Sequence, residues 1–208
     1  YQNTFFEYLN ELQSKGLQVF VTSHSPTITA KSDVNNISIL QRKQSIIQSF
    51  SFDELSEDDY PKESKRHLRK FLDTTKAQLF FANGVLLVEG VAEAIIIPIL
   101  AKKFLTEKID LCKSGIELVN IGGVAFNHFG LLFNNDDERK RLLSKCAIIT
   151  DSDPKDNGDI SDRAQKAKDL EKHNLKVCLA THTLEHDLFE QSERNKAIMR
   201  DVYRKIHA

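Results

Sequence analysis

GVLLVEGVAEAIIIPIL, residues 84–100, is the stretch whose reading decides the fold. Its first five residues form a short apolar run bounded by turn-forming positions, as a buried strand does. Glu89-Gly90 then turns the chain, and 91–104 continues as an apolar helix that Lys102 and Lys103 close. The same alternation recurs further along. Strands are expected over 116–121, 146–150 (CAIIT) and 176–180. Helices are expected around 125–133, 138–143, 162–173 and 193–206. Short apolar strands alternating with helices predict an α/β fold with a mostly parallel sheet flanked by helices.

Upstream, Phe5, Phe6, Leu9 and Leu12 recur at helical spacing and Gly16 ends that helix. The run QVFVT (18–22) reads as a buried strand leading into Ser23-His24-Ser25-Pro26, with Ser25 as an N-cap and Pro26 at the first helical position. Residues 36–42 and 45–50 read as a hairpin. The composition then shifts: an acidic patch (Asp53, Glu54, Glu57, Asp58, Asp59) gives way to a helix bearing Lys62, Lys65, Arg66, Arg69 and Lys70. Taken alone, both charge runs read as a solvated linker and helix face, with a DNA-contacting face as the alternative. They set the expected division of the chain into 1–52, a linker helix over 53–78, and 79–208.

The 208 residues suffice for one sizeable domain plus part of another. Lys and Arg total 29 against 30 Asp and Glu, a formal charge of −1, which excludes a strongly basic module that binds DNA through bulk charge. An enzyme with a local basic groove remains open. Cys112, Cys146 and Cys178 form no C-x-x-C pair and read as buried thiols of a reduced compartment. No apolar run approaches the roughly 20 residues that span a bilayer, and no signal peptide is evident, so a cytoplasmic protein is expected. The chain begins at Tyr1, already in an amphipathic pattern, as a piece of something longer would.

Ligands of open parallel sheets bind at the carboxyl ends of the strands, and here those ends are acidic. The first delivers Glu89, with Glu93 one helical turn beyond, so both can face one point. The strand 146–150 delivers Asp151-Ser152-Asp153, and 176–180 leads towards Glu185 and Asp187. Another ends in Gly122-Gly123, where missing side chains let backbone approach a phosphate. Carboxylates converging from several elements suit hard cations such as Mg²⁺ or Mn²⁺, and a pair of such ions suits phosphodiester hydrolysis. Taken singly, Glu89 reads as a charge favouring a helix N-terminus and 151–158 as turn chemistry. In combination they point to a metal site.

VLLVEGVAE (85–93) with IITDSD (148–153) resembles the Toprim fold shared by topoisomerases, bacterial primases and nucleases of the OLD (overcoming lysogenization defect) family. Topoisomerases and primases usually carry a third acid two positions after the Asp-x-Asp pair, where this chain has Lys155. Glu93, Gly122-Gly123 and the segment LEHDL (184–188) resemble the OLD family instead. That resemblance implies that Glu89, Glu93, Asp151 and Asp153 are catalytic and hold two Mg²⁺ or Mn²⁺ ions, with Glu185 completing the set. It further implies double-stranded DNA as substrate and ATP-dependent regulation in the longer protein. Homo-oligomers, an accessory defence-system protein and a role in anti-phage defence of the Gabija type belong to the same implication. A family lysine is expected beyond this chain, and Lys196 and Lys205 are poor substitutes by position. The chain alone is therefore expected to bind metal and cleave weakly.

The Thr-Ser-His-Ser-Pro segment resembles the switch-histidine region of ABC-type ATPases, which makes His24 the expected ATP sensor and 1–52 the end of an ATPase domain. No G-x-x-x-x-G-K-[ST] loop is present to cradle phosphates, so the chain alone is expected neither to bind nor to hydrolyse ATP. His182-Thr183-Leu184-Glu185-His186 matches H-x-x-E-H, but a zinc site of that kind needs both histidines on one helix, and His182 falls too near the preceding strand. Two further readings stay open: another Toprim enzyme, of the primase or topoisomerase kind, and a non-catalytic Toprim module. None of Tyr1, Tyr8, Tyr60 and Tyr203 lies near a motif, which counts against a tyrosine nucleophile.

Overall fold

The computed structural model describes residues 2–104, 109–123 and 125–207. Tyr1, one of the four tyrosines considered above, lies outside them. Helix α1 (Gln2–Ser14) ends at Gly16, whose φ of +82° suits a residue without a side chain. Helix α2 (Pro26–Lys31) starts as its sequence predicts: the Ser25 hydroxyl accepts from the Ile28 amide at 3.4 Å, and Pro26 occupies the first turn. Between them, the expected strand over 18–22 does not form. Its pattern is right for a strand, but among the described residues no other strand pairs with it, and Phe20 is 84% exposed. An isolated strand has no ladder to hold it.

The next runs do find each other. Strands β1 (Ser38–Lys43) and β2 (Ile46–Ser51) form an antiparallel hairpin, with Gln44 at φ +54° in the turn. Helices α3 (Lys62–Phe71) and α4 (Thr74–Ala77) follow. Phe50, Phe52, Tyr60 and Leu68 are buried in the same cluster as Leu87, Val119, Ile148 and Leu175 of the large sheet. The packing is thus continuous across residues 53–78. Phe52 meets Phe50, Tyr60 and Phe80 edge to face, at centroid distances of 5.1, 5.9 and 6.0 Å.

The large sheet consists of β3 (Gly84–Val88), β4 (Ile116–Asn120), β5 (Lys145–Thr150) and β6 (Leu175–Leu179) in the order β4-β3-β5-β6, all parallel. Helices α5 (Val91–Phe104), α6 (Phe126–Gly130), α7 (Asp162–Asp169) and α8 (Leu184–Glu190) connect or follow these strands. Helix α9 (Glu193–Ile206) closes the described chain over the range its periodicity predicts. Parallel strands put all four carboxyl ends along one edge, and the central β3 and β5 are buried on alternate residues or more.

Three further expectations need correction. Residues 138–143 form only a 3₁₀ turn, Glu138–Lys140. The carbonyls a helix would use are engaged elsewhere: Glu138 O accepts from Gln48 Nε2 at 2.8 Å and Arg141 O from Gln41 Nε2 at 3.3 Å, which sews the hairpin to this segment. The helix expected over 162–173 stops at Asp169, because His173 turns to φ +50° and Lys172 bridges back to Leu175. Of the three thiols, Cys146 is buried, whereas Cys112 sits in the turn before β4 and Cys178 on an outward position of the edge strand β6. Among the described residues, no helix is long and apolar enough to cross a membrane.

Candidate metal centre

The register of the sheet fixes the site. Val88 lies opposite Ile149 on β5 and opposite Asn120 on β4, so Glu89 leaves the sheet level with Thr150 on one side and Ile121 on the other. The Thr150 hydroxyl, 2% exposed, donates to the Glu89 carboxylate. On the other side, Ile121 N donates to Val88 O at 3.0 Å and Gly123 N to Glu89 O at 2.9 Å. Gly122 and Gly123 take φ values of +67° and +119°, which side chains resist, and nothing would lie within 4 Å of a Cβ there. The surface above them is open, as a close backbone approach requires. Their amides, however, are engaged internally, since Gly122 N donates to Asn120 Oδ1 at 2.8 Å.

Asp151 follows β5 directly, and its Oδ1 accepts from the Leu184 amide at the start of α8, at 3.0 Å. Burial pushes its pKa up to about 6; the Leu184 amide opposes this, while the charges of Glu89, Asp153 and Glu185 add to it. Those three expected ligands therefore stand close enough to Asp151 to repel its negative charge. Ser152 pins the loop from below: its buried hydroxyl donates to Thr181 O at 2.6 Å, and the Ser152 and Asp153 amides donate to His182 O. Asp153 then takes φ +41°, a left-handed conformation that aspartate tolerates better than most residues. Its carboxylate turns to Arg163, the second residue of α7.

Arg163 is the residue that sequence reasoning missed. Its Nη2 donates to Asp153 Oδ2 and reaches Glu89 Oε2 at 3.4 Å, so one guanidinium nitrogen bridges acids from two strand ends. Ten positions separate Arg163 from Asp153, and no local pattern marks it; only the place where α7 begins brings it back. Thr150, Ser152 and the Leu184 amide were missed for a similar reason, because their roles arise from pairing across the sheet.

Glu93 is buried, 7% exposed, one turn into α5, with Oε2 at 3.2 Å from where a Gly90 Cβ would stand. A bulkier residue at 90 would crowd that carboxylate. Glu185 is exposed in the first turn of α8, whose N-cap Thr183 accepts from the His186 amide at 3.1 Å. Asp187 is taken up structurally, accepting from the Thr181 amide and hydroxyl. His182 precedes α8 and only His186 is helical; the two rings lie 4.3 Å apart. Lys196 pairs with Glu190 and Glu193, and Lys205 with Asp201. Tyr60 is buried and donates to His128 O. His24 is exposed, beyond the unpaired segment 17–23.

The donors fit a hard divalent cation in kind: they are all carboxylates, drawn from the ends of β3 and β5 and from the first turns of α5 and α8. They are not yet gathered. Among the described residues, no three His, Cys, Asp or Glu side chains are arranged to hold a metal ion. Arg163 stands between Glu89 and Asp153 and pairs with both.

Residues 80–153 match the family model described as "Overcoming lysogenization defect protein-like, TOPRIM domain". Over those residues the chain is similar to OLD-like Toprim domains. The matched OLD-like Toprim segment contains Glu89, Glu93, Gly122, Gly123, Asp151 and Asp153, whereas His24, Arg163 and Glu185 fall outside it. The chain is also 27% identical, over 149 residues, to the Old nuclease of Escherichia phage P2. The alignment covers 71% of this chain and 25% of that protein, so the chain spans about a quarter of its relative's length. Among solved structures, the C-terminal region of the Xanthomonas campestris pv. campestris OLD protein is 26% identical. It covers 53% of this chain and 57% of its own, with a TM-score of 0.36. The C-terminal region of the Burkholderia pseudomallei OLD protein is 24% identical, with coverages of 53% and 59% and a TM-score of 0.41. At scores below 0.5 these superpositions add nothing to a sheet topology that stands on its own register.

Proposed function

We propose that this OLD-family Toprim domain is the centre of a divalent-metal-dependent DNA endonuclease. The observation that carries the reading is the pair of acidic strand ends, Glu89 after β3 and Asp151 and Asp153 after β5, which the parallel register sets side by side at one edge of the sheet and which Arg163 bridges. Burial and like charge together raise the Asp151 pKa to about 6. Arg163 offsets part of this negative charge, and a divalent cation would offset more. Glu89, Glu93, Asp151 and Asp153 would hold the ions, with Glu185 at the rim. Two Mg²⁺ or Mn²⁺ ions there would activate a water and offset charge on the leaving oxygen of a phosphodiester.

The chain's own residues prepare this site. Thr150 on β5 and Gly123 in the loop after β4 fix Glu89 from both sides, Leu184 N orients Asp151, and Ser152 holds the loop that carries Asp153. Such supporting contacts typically matter about 10- to 100-fold in metal affinity. Double-stranded DNA as substrate, regulation by an ATPase sensed through His24, assembly into homo-oligomers, and anti-phage defence belong to the same reading of the longer protein. So does the division into an ATPase remnant (1–52), a linker (53–78) and the Toprim domain (79–208). Support comes from the family match and from the Old nuclease relative.

One observation favours a second reading, a Toprim module that no longer cleaves: the Arg163 guanidinium already bridges two of the acids. Supercoiled plasmid incubated with the protein and Mg²⁺ or Mn²⁺, beside Asp151→Ala, separates the two. Nicking that disappears in Asp151→Ala supports the endonuclease. Equal nicking by both proteins would remove Asp151 from catalysis. No nicking by either, with Mn²⁺ binding lost only in the variant, would favour the non-cleaving module. Relaxed, covalently closed product would indicate topoisomerase chemistry.

A further inference from the structure

Beside the carboxylates lies an open cavity of about 330 Å³, lined by Phe126, Asn127, Arg163, Lys166 and Ala167. Its acid-facing wall is the residue that bridges Glu89 and Asp153. Lys166 follows three positions later on α7, which sets it on the same helix face. It is exposed and, among the described residues, forms no ion pair within 4 Å and no side-chain hydrogen bond. The cavity therefore brings two cations to one mouth, directly beside the acidic strand ends.

The hold on Arg163 is partial. Among the described residues, only Nη2 is engaged by the acids, and it is shared between them. Nε is buried without a hydrogen-bond partner. Guanidinium is best satisfied by a planar, bidentate acceptor that takes two of its N–H groups in parallel, and phosphate oxygens provide that geometry. A buried, unpaired N–H on a charged group is a standing cost that such an acceptor would remove.

We propose that Arg163 and Lys166 form a phosphate-binding subsite for the DNA backbone beside the carboxylate centre, and that Arg163 exchanges the acids for a phosphodiester when divalent cations bind. The inference rests on the metal-dependent reading given above and deepens it. Without divalent cations, Arg163 is the counter-cation that makes the close approach of Glu89 and Asp153 tolerable. A doubly charged ion removes the need for it. The freed side chain then reaches the backbone phosphate from the cavity side, with Lys166 as a second point charge. Neither cation reads a base, so the subsite contributes affinity and positioning without sequence preference. Arg163 is here a positioning residue.

The test uses the full 208-residue chain and two binding readouts: Mn²⁺ by titration calorimetry, and a blunt 20-base-pair duplex by fluorescence anisotropy at several salt concentrations, with Ca²⁺ present. Arg163→Gln should bind Mn²⁺ at least as tightly as wild type, because a competing cation is gone. It should bind the duplex about tenfold more weakly, with a salt slope reduced by about 1. Lys166→Gln, an exposed change that leaves the acid bridge intact, should weaken the duplex and leave Mn²⁺ untouched. Weaker Mn²⁺ binding by Arg163→Gln would make Arg163 a structural brace and overturn the exchange. Wild-type duplex affinity in both variants would overturn the subsite. Asp151→Asn, run in parallel, isolates the underlying reading: unchanged Mn²⁺ binding there would sink the metal site itself, and leave the duplex comparison to decide whether these cations bind phosphate. Should Arg163→Gln fail to fold, as judged by circular dichroism, Lys166→Gln alone still decides the subsite.

Discussion

Two places in this chain pair an apolar, strand-like run with a candidate functional residue just beyond it, and they come out differently. At the end of β3, Glu89 is fixed from both sides, by Thr150 on β5 and by the loop after β4. After QVFVT, His24 follows a run that has no paired neighbour among the described residues, and the apolar side chains face water. The sequence patterns are equally good. What separates them is whether another strand is present to set register, because a strand end aims a side chain only when the strand itself is held. Glu89 is thus held in place by its neighbours, whereas among the described residues no strand holds the segment before His24.

The largest expected effect breaks this comparison at its strong end. Leu87 is fully buried in the central strand β3, and Leu87→Ala should cost about 2–5 kcal/mol. Urea unfolding measures this directly. Because β3 also carries Glu89, Mn²⁺ affinity should fall along with stability. A Leu87→Ala protein with an unchanged urea midpoint would mean that β3 is not the support it looks to be.

A smaller effect tests how firmly the hairpin region is joined to the sheet. Asp59 accepts from Lys140 Nζ at 2.7 Å, from Ser56 Oγ at 2.7 Å and from Asn135 Nδ2 at 2.9 Å. These bonds, the one from Lys140 first, hold its carboxyl well below the usual carboxylate range. Since the folded pKa lies below the unfolded value of about 3.9, the ionised form contributes stability that is fully present above that pH. The contribution is lost as pH falls towards the folded pKa. Asp59→Asn should therefore be less stable by about 1.5–3 kcal/mol at pH 7, and the gap to wild type should narrow as the pH falls below about 4. Urea midpoints at pH 7, 4 and 3 check the sign. A gap that widened with acid would contradict the assignment.

Legibility followed the same divide. The four strands of the large sheet, the hairpin, the α2 cap and the whole of α9 follow from local signals: apolar runs, Ser25-Pro26, and helical periodicity. That Glu89, Asp151 and Asp153 would share one edge was legible because strand ends in a parallel sheet lie together. Arg163 was not, because its role depends on where α7 starts after an irregular loop. Thr150 reads in sequence as one more β-branched residue, and only the alignment of β3 with β5 turns its hydroxyl to Glu89. The 138–143 segment carried helical signals, yet its carbonyls were claimed by Gln41 and Gln48 from far upstream. Local propensity was overruled wherever a distant partner offered a better bond.

The smallest expected effect lies at the weak end of the comparison. Phe20 is the most exposed large apolar side chain described, at 84%, so replacing it removes almost no buried surface. Phe20→Ser should shift the urea midpoint by no more than about 0.5 kcal/mol in equivalent stability, as surface substitutions generally do. It should also leave Mn²⁺ affinity at the carboxylate edge untouched. A loss approaching that of Leu87→Ala would show that 17–23 is buried in solution, whether by a second copy of the chain or by a fold-back. Sedimentation of wild type and variant at matched concentrations would then tell these apart, since only self-association makes the loss depend on protein concentration.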